Sequence, residues 1–188
     1  MRKLISALAL VGAVAGFSSV ASAAPIIEDF ESYSTGNYSS IVTADFTLTD
    51  NSSAFQVTSS APWGGRSIIS WTDGNIFTAA FNTVINTFSI DVGDYNADVD
   101  NVQVTAYDAS NNVVDSVSFA NPASSTTATT LTVSGSNITT VVFQDNAPYP
   151  GAVYWDNLTY EAVPEPSSLI LMGLGLLGLG SRRKLVRA

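Results

Sequence analysis

The chain is 188 residues long, with a net charge of −9, no histidine and no cysteine. Without histidine, the commonest general base and the commonest metal ligand are both missing, which excludes zinc chemistry and any histidine-based triad. Without cysteine, no disulfide staples the fold, so an apolar core must hold it.

The first 23 residues read as a removable leader. Arg2 and Lys3 form a basic start, Leu4 to Phe17 is an apolar run, and Ala21-Ser22-Ala23 is a small-residue cleavage site. These are the features of a secretory signal peptide cut after Ala23, with Ala24 as the new N-terminus. Six of the seven basic residues lie in the two terminal segments, leaving Arg66 alone in the body against fifteen acids from Glu28 to Glu161. The body is therefore strongly acidic, near −14, which repels nucleic acid phosphates and excludes them as partners.

Residues 24–162 form one domain, large enough for a core. Ile26–Phe30 reads as a first strand and 31–40 as a polar loop. Ile41–Leu48 alternates as a strand and ends at the Asp50-Asn51-Ser52-Ser53 turn cluster. Phe55–Thr58 and Ser67–Trp71 follow as strands, separated by a Pro62-Trp63-Gly64-Gly65 loop. Asp73-Gly74 signals a hairpin into Ile76–Phe81. Phe88, Ile90 and Val92 alternate with polar residues, and an acidic loop runs from Gly93 to Asn101. Val102–Tyr107 and Val113–Phe119, joined by a polar turn at 108–112, make the clearest hairpin in the chain. Thr129–Val133, Thr140–Gln144 and Val153–Tyr160 complete the set, with Pro148-Tyr149-Pro150-Gly151 between the last two.

Ten or eleven short strands rich in Val, Thr, Ile and aromatics, with no helical periodicity, predict an all-β antiparallel sandwich. Two segments carry a family likeness. Glu28-Asp29-Phe30-Glu31 and Tyr154-Trp155-Asp156-Asn157-Leu158 resemble the opening and closing strands of galactose-binding-like jelly rolls. That resemblance implies that the first and last strands lie close together.

Two acidic groupings are candidate calcium ligands. Asp91, Asp94, Asp98 and Asp100 place four carboxylates within ten residues, beside Asn101, and calcium takes six to eight oxygens of this kind. Asp94, Asp98 and Asp100 are the core of that set, although the spacing does not match an EF-hand. A solvated acidic loop is the alternative. The jelly-roll resemblance implies a second position where the chain ends meet, using Glu28 or Asp29 with Asp156. Trp63 and Trp71, with Tyr95 and Tyr149, lie in or near loops where an aromatic face can stack on a sugar ring. Core packing is the alternative for each. Arg66 is expected to tie down an acidic neighbour. Paired carboxylates can serve a glycosidase, but no two stand out as facing partners, so no catalytic residue is assigned and the expected role is non-enzymatic.

The last 26 residues, 163–188, have three parts in order. Pro164-Glu165-Pro166 is stiff and extended, since both prolines fix φ and lack an N–H. Leu169–Gly180 is apolar, and Arg182, Arg183, Lys184 and Arg187 form a basic end. Twelve helical residues span about 18 Å against a hydrocarbon core of about 30 Å, too short for a comfortable permanent anchor. Gly173, Gly175 and Gly178 satisfy G-x-G-x-x-G, but the chain ends ten residues later, too soon for a dinucleotide fold. The order of the three parts resembles the PEP-CTERM sorting signal. The resemblance implies processing at Pro164-Glu165-Pro166 by an exosortase-type enzyme after signal peptidase has acted. It also implies transient inner-membrane anchoring through a short C-terminal transmembrane helix, and an exopolysaccharide-associated role at the cell surface or in the matrix. Two readings stay open beside it: a calcium-dependent carbohydrate-binding module and a polysaccharide-active enzyme.

Overall fold

The computed structural model describes residues 24–52, 54–71, 76–94, 100–121, 127–146 and 153–163. The expected leader with Ala23, the Pro164-Glu165-Pro166 motif, the flanking helices, Tyr95, Asp98 and Tyr149 lie outside these residues. Eleven strands and no helix are found among the described residues: β1 (Ile26–Glu28), β2 (Gly36–Tyr38), β3 (Ser40–Val42), β4 (Phe46–Asp50), β5 (Phe55–Thr58), β6 (Ser67–Ile69), β7 (Ile76–Gly93), β8 (Asp100–Tyr107), β9 (Val113–Asn121), β10 (Thr129–Asp145) and β11 (Tyr154–Ala162).

Two long strands organise the molecule. The early half of β7 pairs with β4 through Phe77–Phe81, and its later half pairs with β11 between Ile85 and Gly93. β10 follows β7 along both halves but pairs with β8 only from Thr140 onward. The β7/β10 ribbon thus belongs to two layers. One layer runs β3-β4-β7-β10-β8-β9. The other runs β2-β5-β6-β11-β7-β10, with β1 beside β11 in line with β6. The ribbon turns the corner where its register slips, between Ser134, Ile138 and Thr140, and Asn137 there takes a left-handed φ of 66°. Such irregularities let a strand change sheets.

The layers enclose one aromatic core. Phe55 meets Phe77 at 5.5 Å, Phe143 meets Trp155 at 4.9 Å, and Tyr160 lies 5.1 Å from Phe81, each pair joining one layer to the other. Phe77 and Phe143 stack at 5.1 Å within 8° of parallel. Inward residues alternate with polar ones, as in Phe46-Thr47-Leu48-Thr49, so period-two patterning sets the faces.

The molecule has two distinct ends. At the bend end lie the β7 and β10 corners, the β8–β9 turn and the close of β11, where the Val163 N–H donates to Val84 O at 3.0 Å. At the far end lie Gly93 opposite Tyr154, and Asp100 opening β8.

Several expectations change. Ile41–Leu48 is not one strand but the β3–β4 hairpin: Thr43 Oγ1 accepts from the Phe46 N–H at 3.0 Å and turns the chain. Residues 36–38, expected as loop, pair with β5. Asp73-Gly74 lies outside the described residues, but β6 and β7, the strands it was expected to join as a hairpin, are not neighbours, because β11 lies between them. Ile76–Phe81 and Phe88–Val92 join into β7, and Thr129–Val133 and Thr140–Gln144 into β10. The hairpin at 102–119 is present, closed by Asp108 Oδ1 accepting from Ser110 and Asn112 N–H groups at 2.8 Å each.

Candidate functional site

The outer face of the β2-β5-β6-β11-β7 layer carries a row fixed by register: Asn37 opposite Gln56, Gln56 opposite Ile69, Ile69 opposite Tyr154, and Tyr154 opposite Gly93. Trp71 follows β6 two residues past Ile69. It is 65% exposed, and its indole N–H donates to Gln56 Oε1 at 3.2 Å. Together with Asn37, Ser70 and Ile69 these residues line an open depression of about 230 Å³ at the far end. Among the described residues, the lining holds no charged side chain.

Trp63, the other candidate aromatic, serves a different geometry. The 61–65 loop lays it over the same face, half-buried against Ala61, Ile69 and Tyr154. Its ring meets Tyr154 edge-on at 6.4 Å, and its Nε1–H donates to Asp156 Oδ2 at 3.2 Å. Gly93 makes this possible: a Cβ there would stand 2.5 Å from Trp63 Cζ3. Trp63 roofs the sheet, while Trp71 stands free of it.

Beneath that roof, Asp156 is 5% exposed and lies directly opposite Asp91. Asn157, with φ 49°, begins a bulge in β11. Its side-chain amide donates to Asp91 Oδ2 at 2.9 Å, and its N–H donates to Asp156 Oδ1 at 2.7 Å. Burial pushes the Asp156 carboxyl up to about 6; the Trp63 and Asn157 hydrogen bonds oppose that rise, and the charges of Asp91 and Glu31 add to it.

The remaining candidates fall in separate places. Asp94 and Asp100 are both buried, at the end of β7 and the start of β8. Asp29 is exposed and accepts the Glu31 N–H at 3.1 Å, capping its own turn, while Asp156 is committed to Trp63 and Asn157. Among the described residues, no three acidic side chains converge into a group that could hold a metal ion. Arg66 reaches back to the first turn: its backbone N–H donates to Glu31 Oε1 at 2.6 Å, and its guanidinium donates to the carbonyls of Glu31 and Tyr33.

A second depression, about 280 Å³, runs beside β8 and β9. Two of its amides are already engaged with each other: Gln103 accepts from Asn146 at 3.2 Å, and it donates to Ser116 at 3.3 Å. Its aromatic, Phe119, packs on the core. The sequence singled out Trp71 but missed Gln56 and Asn37, since nothing in a lone Gln or Asn marks it as a neighbour across a register.

Comparison with known proteins adds two findings. Residues 162–184 match the PEP-CTERM protein-sorting motif, so the chain carries an exosortase-type sorting signal and is an exported protein anchored at the membrane before processing. The body is similar in fold to the K2 cleaved adhesin domain of Lys-gingipain, at a TM-score of 0.52 and 14% identity, covering 73% of this chain and 99% of that one. The K1 domain of the same protein from Porphyromonas gingivalis W83 gives 0.51 and 14%, covering 74% and 98%. A family 6 carbohydrate-binding module gives 0.43 and 20%, covering 73% and 93%. At these identities the likeness is one of fold. No curated protein matches the chain.

Proposed function

We propose that this chain is a non-enzymatic surface or matrix protein that associates with exopolysaccharide through the Trp71 groove. Exosortase-type processing at Pro164-Glu165-Pro166 would deliver it there. The observation that carries the reading is the exposed Trp71 indole, held by Gln56 beside Asn37 and Ser70. An aromatic face covers the C–H side of a sugar ring, and flanking amides and hydroxyls exchange hydrogen bonds with its hydroxyls. The lining, uncharged among the described residues, suits a neutral glycan.

The test is retention of the protein on a panel of neutral polysaccharides, with Trp71→Ala beside the natural chain. Loss of retention in the variant supports the groove. A natural chain retained by none of the glycans overturns the reading. Turnover of any glycan would move the protein to the enzyme class.

A calcium-dependent form of the same reading is favoured by one observation: Asp94 and Asp100 are both buried carboxylates, flanking 95–99. Carboxylate oxygens are the hard ligands that calcium takes. A melting midpoint unmoved by chelator removes calcium from the account.

A further inference from the structure

Six large apolar side chains are exposed among the described residues: Ile26, Ile27, Val42, Trp71, Val113 and Val163. Five of them gather on the bend half of the molecule. Val163 is bonded to Val84 at the corner. Val42 sits opposite Thr47, which sits opposite Ala80, just before the corner. Val113 pairs with Tyr107, which is opposite Thr140, itself opposite Ala80. Ile26 and Ile27 pair with Tyr160 and Thr159 near the close of β11. Only Trp71 lies at the far end.

The same end is where the sorting signal leaves. The matched motif begins at Ala162, the last residue of β11, and Val163 is still hydrogen-bonded to the sheet. Five residues, 164–168, separate Val163 from the apolar run. Fully extended, they span at most about 18 Å. While that run is held in a bilayer, the bend end cannot stand far above the headgroups. The other chain end emerges nearby, because β1 starts beside the close of β11.

We infer that the bend end is a lipid-facing seat. Before processing, Val42, Val113, Val163 and the Ile26-Ile27 pair rest on the membrane interface, and the Trp71 groove points away from it. Among the described residues, the acidic groups at this end are Glu28, Asp29, Asp45, Asp108, Asp115 and Glu161; Asp115 accepts from the Ser134 N–H at 2.8 Å. Tyr160 donates to Asp45 at 2.7 Å, and Asn112 donates to Asp108 at 2.9 Å. These charges disfavour anionic headgroups and suit a zwitterionic surface. The inference rests on the membrane anchoring of the sorting signal and is independent of glycan binding.

The test uses the full chain in phosphatidylcholine vesicles. Because the chain has no cysteine, Val42→Cys, Val113→Cys and, at the far end, Ala54→Cys each give a single thiol for an environment-sensitive fluorophore. All three positions are exposed, and melting curves check that the fold is intact. With nitroxide-bearing lipid, labels at 42 and 113 are expected to be quenched several-fold more than the label at 54. Equal quenching in chains that float with the vesicles overturns the seat but leaves the anchoring in place. Blue-shifted yet unquenched labels at 42 and 113 also overturn it, since the chain's own tail would then be the cover. Failure to float overturns the anchoring itself.

Discussion

Asp156 and Asp91 stand directly opposite one another on neighbouring antiparallel strands, two carboxylates in one register position under the Trp63 indole. Like charges so placed destabilise a sheet. The arrangement persists because Asn157 donates to both carboxylates and Trp63 donates to Asp156.

A pH dependence follows from this pair. Burial and the neighbouring charges raise the folded Asp156 carboxyl from 3.8 to about 6, so between those values the folded chain holds a proton that the unfolded chain has released. Its contribution to stability is complete below about pH 4 and is lost as pH rises through 6. Asp108 runs the other way, because the Asn112 hydrogen bonds lower its carboxyl and its contribution is lost on acidification. The melting temperature should fall between pH 4.5 and 7. Asp156→Asn should flatten that fall while keeping an acceptor for Trp63. An unchanged slope in the variant would remove Asp156 as its source.

Gln56→Ala should weaken glycan retention without moving the melting midpoint. The side chain's visible work is to hold the Trp71 indole, and the half-buried position lies on the outer face of the sheet, away from the core. Freeing one side chain before binding costs about 0.5–1.5 kcal/mol, or roughly two- to tenfold in affinity. Titration of the two proteins against the same glycan measures it. Equal affinities would mean that the indole needs no fixing.

Phe143→Ala should destabilise the domain by about 3–5 kcal/mol. Phe143 is fully buried and touches Phe77, Phe88 and Trp155, and so bridges both layers. Denaturant unfolding gives the value. A loss under 1 kcal/mol would show that the layers are held together elsewhere.

Gly93→Ala should displace the Trp63 roof. The added methyl meets the ring at 2.5 Å, and overpacking of this kind costs about 1–3 kcal/mol. Tryptophan emission should shift to the red as the indole becomes wetter. Unshifted emission would place Trp63 elsewhere in solution.

The all-β class and most strand positions were legible because alternation is a local signal, and the inward residues of β4 and β8 obey it. The two long strands were not. Asn82-Thr83 and Ser134–Asn137 have turn composition, yet they mark corners at which paired strands bend together. The hairpin hint at Asp73-Gly74 was outweighed by a long-range partner, since β11 arrives some eighty residues later to take the place beside β6. At the site, Trp71 was legible as an aromatic near a strand end. Its separation in role from Trp63 was not, because that depends on Gly93, thirty residues away, leaving room for one ring and on Gln56 catching the other.

The pairing of β1 with β11 also decides how the molecule bears tension. A pull that separates the two chain ends peels β1 from β11 one hydrogen bond at a time, since both ends leave from the same side. A pull between a tethered C-terminus and a polymer held at Trp71 runs lengthwise along β11 and loads its bonds to β7 and β6 together, in shear. The strand that leads into the sorting signal is thereby also the strand best placed to carry a mechanical load between that end and the Trp71 groove.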